Sequence, residues 1–556
     1  MSRKTLLLLV TALFAVFAFA AAGCGGDDDE GGEAGGTTQA GGQQAAEQVI
    51  TIAWGAEPPS LDPGLASDTT SANIIRNIMD PLLTLDPQTL EAQPNLAESW
   101  EVSDDGTTVT FHLRDDGKWT NGDPVTAGDF VYSWKRTLSP ELAADYAYQL
   151  YGIVGATEYN GCEKNCEALA DKVGVEAPDD QTLVVHLTSP QPWFITQVSH
   201  HSFLPVHQAT VEEFGDQWTD PENIVSNGPF QLVAREPEAS IDLEKWDGWR
   251  NADQVTLERA NGRIIVDGTT RVQAFEAGEV DALDGSGLPP DEMPRLKELP
   301  EYENYPYLGT YYYGFNVKNI SDLNQRKAMS LAIDRRTIID NIAQADQTPA
   351  TGFTAPGIKG QEQINPNSPW LPENGDMEQA QQLMDQVQSP VTDINLFHND
   401  APGHREIAVA VQSMWEQLGL TTSIKAQEWA QYLEFIGPPP SDQIDVFRLG
   451  WIYDFPDAMN GLELWTCDSG NNSTNFCNEE YDGVVEEARN QPEEAERFQT
   501  YAQLEQMLFG EDGELPLTPI YWYTLPNLEN LSIKESFFIG PLNDLDLTQV
   551  VVTEAG

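Results

Sequence analysis

The chain has 556 residues, 29 Lys and Arg against 89 Asp and Glu, a formal charge of −60 and 40% hydrophobic residues. That apolar content is ample for a large core, and the length suggests two to four domains at roughly 150 residues each. The charge excludes a nucleic-acid binder, because a phosphate backbone needs a positive footprint; it disfavours an anionic membrane surface, keeps a protein soluble and fits a salt-adapted source.

The chain opens on an address. Arg3 and Lys4 precede an apolar run from Leu6 to Ala22, which ends in Ala21-Ala22-Gly23-Cys24. A basic start, an apolar run and small residues before a cut mark a secretory leader, expected here over 1–23. A cysteine directly after small residues resembles a bacterial lipobox, which makes Cys24 the candidate for lipidation. Ala21 stands where Leu is usual; a plain secreted protein with a chance cysteine, or an uncleaved anchor helix, is the other reading. Residues 24–47, rich in Asp, Glu, Gly, Gln and Ala, cannot bury apolar area and read as a flexible tether.

Along the body, alternating residues predict strands at 48–54, 107–114 and 182–187. Helical periodicity predicts helices at 72–83, 127–138, 323–343, 406–418 and 481–489, with Asp322 as N-cap of the one from 323. Strands and helices interleave without a repeat, which points to a mixed α/β architecture. Proline clusters at Pro58-Pro59, Pro289-Pro290 and Pro438 to Pro440 mark loops.

Cys162 with Cys166, and Cys467 with Cys477, read as two local disulfides of an oxidising compartment. The second would contribute about 3 kcal/mol by closing its loop. A zinc site is the rival, but CxxC spacing and a nearby His are missing. Gly-x-Ser-x-Gly, Gly-Lys-Ser/Thr and His-Glu-x-x-His are absent from the sequence, so neither an enzyme nor a cofactor is expected. The His200-His201 pair could ligate a metal, but neighbours on an extended chain point to opposite faces, and no metal site is expected.

Other residues carry a resemblance. In order come Ser60-Leu61-Asp62-Pro63, Leu96-Ala97-Glu98-Ser99-Trp100, Phe111-His112-Leu113-Arg114 and Lys118-Trp119-Thr120-Asn121-Gly122-Asp123-Pro124-Val125-Thr126-Ala127. Asp129-Phe130-Val131-Tyr132-Ser133-Trp134, Asn227-Gly228-Pro229-Phe230, Phe275-Glu276-Ala277-Gly278-Glu279-Val280-Asp281 and Ala332-Ile333-Asp334-Arg335 follow. This series, over about 500 residues, resembles the family 5 extracellular solute-binding proteins of bacterial ABC importers, most of all the oligopeptide-binding members. The resemblance implies a periplasmic-binding-protein type II fold, two lobes and a hinge plus an inserted domain. Domain I would comprise 48–79, 205–308 and 526–556, domain II 80–204 and domain III 309–525. It also implies an oligopeptide ligand, an ABC permease with its ATPases as partner, a monomer, and a place outside the cytoplasmic membrane, anchored there through Cys24.

Within Arg448-Leu449-Gly450-Trp451-Ile452-Tyr453-Asp454-Phe455, the resemblance assigns Asp454 to the peptide's α-ammonium and Arg448 to its carboxylate. Gly450 and Trp451 lie in the stretch that pairs with the peptide. A carboxylate facing a cation in a water-poor groove makes a charge-assisted hydrogen bond; capping of the following turn is the alternative for Asp454, and an internal salt bridge for Arg448. His404 matches a family His near the carboxylate of longer peptides, and His200 one that lines the cleft, with an ordinary surface or satisfied histidine the alternative for each. Tyr146, Trp429 and Trp451 fall on aromatic pocket positions, with core packing the alternative. Ser67, Asp68 and Thr69 fall on an extended stretch that pairs with the ligand backbone. Gly309 and Ile452 replace a disulfide of the enterobacterial members, and Asp284-Gly285 replaces an Asn pair, so ligand length and class stay open to dipeptides, oligosaccharides or a metal chelate. A peptide chaperone or receptor without transport is a further reading.

Overall fold

The computed structural model describes residues 46–554 apart from 286, 366–369 and 402. The expected leader, Cys24 and all but the last two residues of the tether lie outside the described residues.

Three large sheets organise a mixed α/β architecture. In the first, of five strands, Val49–Trp54 runs parallel to both Arg259–Ile264 and Ala282–Leu283. Its alternation buries Ile50, Ile52 and Trp54 against Ile74, Ile75 and Ile78 of helix Thr69–Ile78. That helix begins at Asp68, whose carboxylate accepts from Ser71 N at 2.9 Å, a cap that satisfies a free amide. It ends before Pro81, which lacks an N–H and disfavours helix at the residue before it; the predicted continuation to 83 overlooked this.

A second sheet has the order Ala97–Val102, Thr108–Leu113, Thr182–His186, Val175–Asp179. It packs Phe111, Leu183 and Val185 against Phe130 and Trp134 of helix Ala127–Thr137. The third, of six strands, runs Thr348–Pro349, Leu517–Leu528, Tyr302–Phe315, Val446–Ile452, Asp393–Asn399, Thr421–Gln427.

The predicted strands lie within one residue of Val49–Trp54, Thr108–Leu113 and Thr182–His186. The helix predicted over 323–343 is instead three pieces: Leu323–Leu331, Arg335–Ile338 and a π turn, Ile339–Ala343. Asp334 stops the first and caps the second, accepting from Thr337 N at 2.9 Å. The break lets the fully buried Arg335 donate to the carbonyls of Pro519 at 2.8 Å and Ile333 at 3.2 Å, and to Thr518 Oγ1 at 2.9 Å. The Ala-Ile-Asp-Arg series thus serves the core, where a buried guanidinium is tolerated because its donors are used.

The buried apolar residues form three main clusters. One draws on 50–79, 204–260 and 525–550, a second on 82–203, and a third on 308–522 together with Leu90 and Trp193. Strands Tyr302–Phe315 and Leu517–Leu528 run from the first cluster, through Tyr305 and Leu525, into the third, through Leu308, Tyr311, Ile520 and Trp522. They pair antiparallel across that passage, with a register shift between Pro306/Thr524 and Thr310/Trp522. Beside the shift, the Ala345 carbonyl accepts from Asn304 Nδ2 at 3.0 Å and Thr524 Oγ1 at 2.6 Å. Disulfides join Cys162 to Cys166 and Cys467 to Cys477.

Candidate ligand-binding site

Strand Val446–Ile452 alternates its side chains, so Arg448, Gly450 and Ile452 share one face. Asp454 follows two residues beyond its end. The two charged residues head two clusters of side chains of different character.

At the acidic end, the half-buried Asp454 accepts from Asn460 Nδ2 at 3.3 Å and from Tyr148 Oη at 3.4 Å. Asn460 is itself fixed: its Oδ1 accepts from Trp451 Nε1 at 2.9 Å and from Asp454 N at 3.1 Å. Among the described residues no Lys, Arg or His makes an ion pair with Asp454. Burial pushes its carboxyl up to about 6, against the hydrogen bonds of Asn460 and Tyr148 and the nearby Gln149 amide, which favour the ionised form. Tyr148 belongs to the turn Asp145–Leu150, which also supplies Tyr146. Tyr146 stacks on His200 at 5.3 Å and 17°, and burial, then the charge of Asp454, raises its phenol above the usual range.

His200 and His201 differ from the expectation of opposite faces. The chain enters a 3-10 turn, His201–Phe203, and the two rings meet at 4.0 Å. His200 pairs with Ser202 Oγ at 2.8 Å, and His201 with the Ala66 carbonyl at 2.9 Å. Burial, then mutual repulsion and Arg76, holds His200 well below the ordinary range, while burial and Arg76 take His201 down to about 3. Both are neutral aromatic walls at ordinary pH. Of Ser67, Asp68 and Thr69, only the first two precede the helix. Asp68 is occupied as its cap and Thr69 is its first residue, so the expected extended stretch is one residue shorter.

At the basic end, the buried Arg448 donates to Asn399 Oδ1 at 3.2 Å and Tyr523 Oη at 2.8 Å, and lies 4.3 Å over the Tyr311 ring. Its Nε has no partner. No carboxylate pairs with Arg448 among the described residues, which removes the internal salt bridge as its explanation. His404 Nδ1 lies 3.4 Å from Tyr311 Oη on the same ring system. Burial, then Arg448 and His398, takes His404 down to about 2, so it is neutral. Gly450 makes room here: a Cβ on it would displace the Tyr523 hydroxyl that holds Arg448. Tyr307 and Tyr523 lie 6.0 Å apart at the strand passage, beside the Arg448 end.

Trp429 stands apart, 45% exposed at the start of helix Trp429–Ile436, its ring 6.2 Å from Tyr432. Gly309 and Ile452 are register partners on adjacent strands, and the Ile452 side chain fills the space beside the glycine. Asp284 is buried, accepting from Gly55 N at 2.8 Å and pairing with Arg271 at 3.3 Å. A cavity of about 820 Å³ between the end of helix Thr69–Ile78, Trp249 and Phe537 lies off this site, for neither Asp454 nor Arg448 lines it. Sequence reasoning missed Tyr148, Gln149, Asn460, Asn399, Tyr311 and Tyr523. Only the aromatic spacing of Tyr311 and Tyr523 in their strands hinted at them.

Comparison with known proteins places the chain in a family. Residues 91–473 match the model of bacterial extracellular solute-binding proteins, family 5. The oligopeptide-binding protein OppA of Bacillus subtilis is 34% identical over 484 residues, covering 84% of this chain and 86% of that one. The crystal structure of Haemophilus influenzae OppA in complex with RPPGFSPFR superposes with a TM-score of 0.74 at 31% identity, covering 92% of this chain and all of that one. The Escherichia coli murein tripeptide binding protein MppA gives 0.77 at 28% identity, again over 92% of this chain and all of that one. The fold is thus of the periplasmic-binding-protein type II kind, and the chain belongs to family 5 of the bacterial extracellular solute-binding proteins, a family of carriers rather than enzymes.

Proposed function

We propose that the protein captures oligopeptides outside the cytoplasmic membrane and delivers them to an ABC permease. The observation that carries this reading is a pair of opposite charges, each without a counter-charge, aligned along one strand and the residues just past its end. Asp454 has donors but no cation, and Arg448 has acceptors but no carboxylate. A free peptide brings the missing ammonium and the missing carboxylate.

Six residues separate the two positions, the first four of them within the strand, so the span is at most about 20 Å at the roughly 3.3 Å rise of an extended chain. With an Arg side chain reaching along the groove, a ligand of roughly three to six residues fits between the ends better than a dipeptide. Main-chain pairing with a strand edge reads backbone and not side chains, which suits a carrier of mixed sequences. The named ligands of the relatives, oligopeptides and a murein tripeptide, support the class.

Capture proceeds by closure of domain I (48–79, 205–308 and 526–556) and domain III (309–525) around the peptide, with domain II (80–204) inserted. The three apolar clusters support this division. Closure needs a ligand that prefers the closed state. Lipidation at Cys24 and a flexible tether would keep the carrier beside its permease.

Calorimetry with Ala-Ala-Ala and its N-acetylated form tests the reading. The free peptide is expected to bind and the acetylated one to lose at least about a hundredfold, because a half-buried carboxylate covered by the ligand is left without its cation. Equal binding of the two, or no binding of any peptide from a defined library, would sink it.

A further inference from the structure

Asp454 receives hydrogen bonds from two stretches of chain that belong to different cores. Asn460 comes from its own side. Tyr148 and Gln149 stand on the turn Asp145–Leu150, whose buried residues Ala147 and Leu150 pack in the cluster drawn from 82–203. Gln197 Nε2 donates to Gln149 Oε1 at 2.9 Å and to the Gln149 carbonyl at 3.0 Å. This fixes the amide with its Nε2 turned away from Gln197. That Nε2 is buried, has no partner of good geometry, and stands near enough to Asp454 to favour the ionised carboxylate.

Apolar contacts bring the same two stretches together. Trp193 stacks beside Phe455, the neighbour of Asp454, at 6.5 Å and 9°. Trp193 and Leu90, both from the inserted stretch, are buried in the cluster otherwise drawn from 308–522. Leu90 reaches it from the turn between Leu83–Leu85 and Ala92–Pro94.

We propose that Tyr148 and Gln149 are positioning residues, lent to Asp454 from the neighbouring core, that keep its carboxylate charged and aimed at the ligand's ammonium, with Trp193 and Leu90 as the fastening that brings them there. The ligand in this statement is the peptide of the preceding proposal. The other ionisable groups that face Asp454 are Glu463 on its own side, which opposes ionisation, Tyr146, and Arg76 of helix Thr69–Ile78, which lies within electrostatic reach. None of these is a hydrogen-bond donor to it, so Tyr148 and Gln149, with Asn460, counter the cost of burial. Because Tyr148 and Gln149 arrive from another core, the carboxylate is held ready only when the two cores are in contact.

The test is the double variant Tyr148→Phe/Gln149→Leu of the full chain. Its Asp454 titration is read by NMR on ligand-free protein carrying ¹³C-carboxyl aspartate, the resonance assigned by its loss in Asp454→Asn. The wild-type midpoint is expected near 6 and the variant midpoint higher by about half to one pH unit. Calorimetry with Ala-Ala-Ala should then show affinity reduced about five- to tenfold at pH 6, with the gap closing to about twofold at pH 8. Trp193→Ala, which removes no donor to Asp454, should move both readouts the same way. Tyr148→Phe alone, at a side chain 36% exposed, keeps the fold and should give a smaller shift. An unchanged midpoint, or an affinity loss equal at both pH values, overturns the proposal. Failure of the wild type to bind any peptide would instead count against the peptide reading, and the midpoint would still decide this one.

Discussion

At position 454 the charged group is half-buried, reaches neutral donors from two stretches of chain, and has a carboxyl pushed up to about 6. At position 448 the charged group is buried against Tyr311, donates to Asn399 and Tyr523, and stays a guanidinium throughout. Both ends leave a charge without its counter-charge, yet only the acidic end can change its charge near neutral pH. Arg is always charged and its fork suits a carboxylate, whereas an aspartate in a dry site is adjustable. The proposed peptide site would therefore have one fixed pole and one tunable pole.

Substitution at the tunable pole should cost most. Asp454→Asn should weaken binding of Ala-Ala-Ala by about a hundredfold or more, since hydrogen bonds to charged groups contribute about 1.5–3 kcal/mol and direct charge attraction adds to them. The same variant should bind the N-acetyl peptide no worse than the wild type does, by calorimetry. Arg448→Met should cost about ten- to a hundredfold for the free peptide and much less for its C-terminal amide. Loss of affinity for both forms alike would reduce Arg448 to a packing role.

Acid separates the two poles further. Peptide affinity should fall as pH drops through about 6, by up to about tenfold per pH unit, as Asp454 takes up a proton. His404, at about 2, and Arg448 add nothing in that range. Stability of the empty protein should respond in the opposite sense. An acid whose pKa is raised by folding binds its proton more tightly in the fold, so Asp454 favours folding increasingly between about pH 6 and about pH 4. Thermal melting of wild type against Asp454→Asn over that window checks the sign. The smallest effect is expected at Gly450→Ala, where displacement of the Tyr523 hydroxyl should cost about three- to tenfold in affinity through loss of one hydrogen bond to Arg448.

Much of the frame was legible in the residues alone. Period-two alternation located Val49–Trp54 and Thr182–His186 because each buries one face, and the ordered motifs pointed to the family. Asp454 and Arg448 came through resemblance, not through any local pattern. Tyr148 and Gln149 were illegible because their meaning depends on a residue about 300 positions away, and a turn with mixed burial has no period to read. The His200-His201 pair was misjudged for a related reason: alternation applies to an extended chain, and a 3-10 turn begins there. The break after Leu331 was hidden as well, since a fully buried Arg335 looks from sequence like a helix-favouring surface residue.

The two strands that pass between the first and third cores, Tyr302–Phe315 and Leu517–Leu528, do so side by side as a hydrogen-bonded ribbon rather than as separate threads. A paired ribbon bends poorly in its own plane but twists readily, and its register shift beside Tyr307 and Tyr523 supplies a local soft spot. If the protein closes as proposed, the two crossings must deform together rather than independently, and the irregular pairing beside Tyr307 is where the ribbon yields most easily. A change of pitch at that single place would then reach the surroundings of Arg448 through Tyr523, which lies beside the shift and holds its guanidinium.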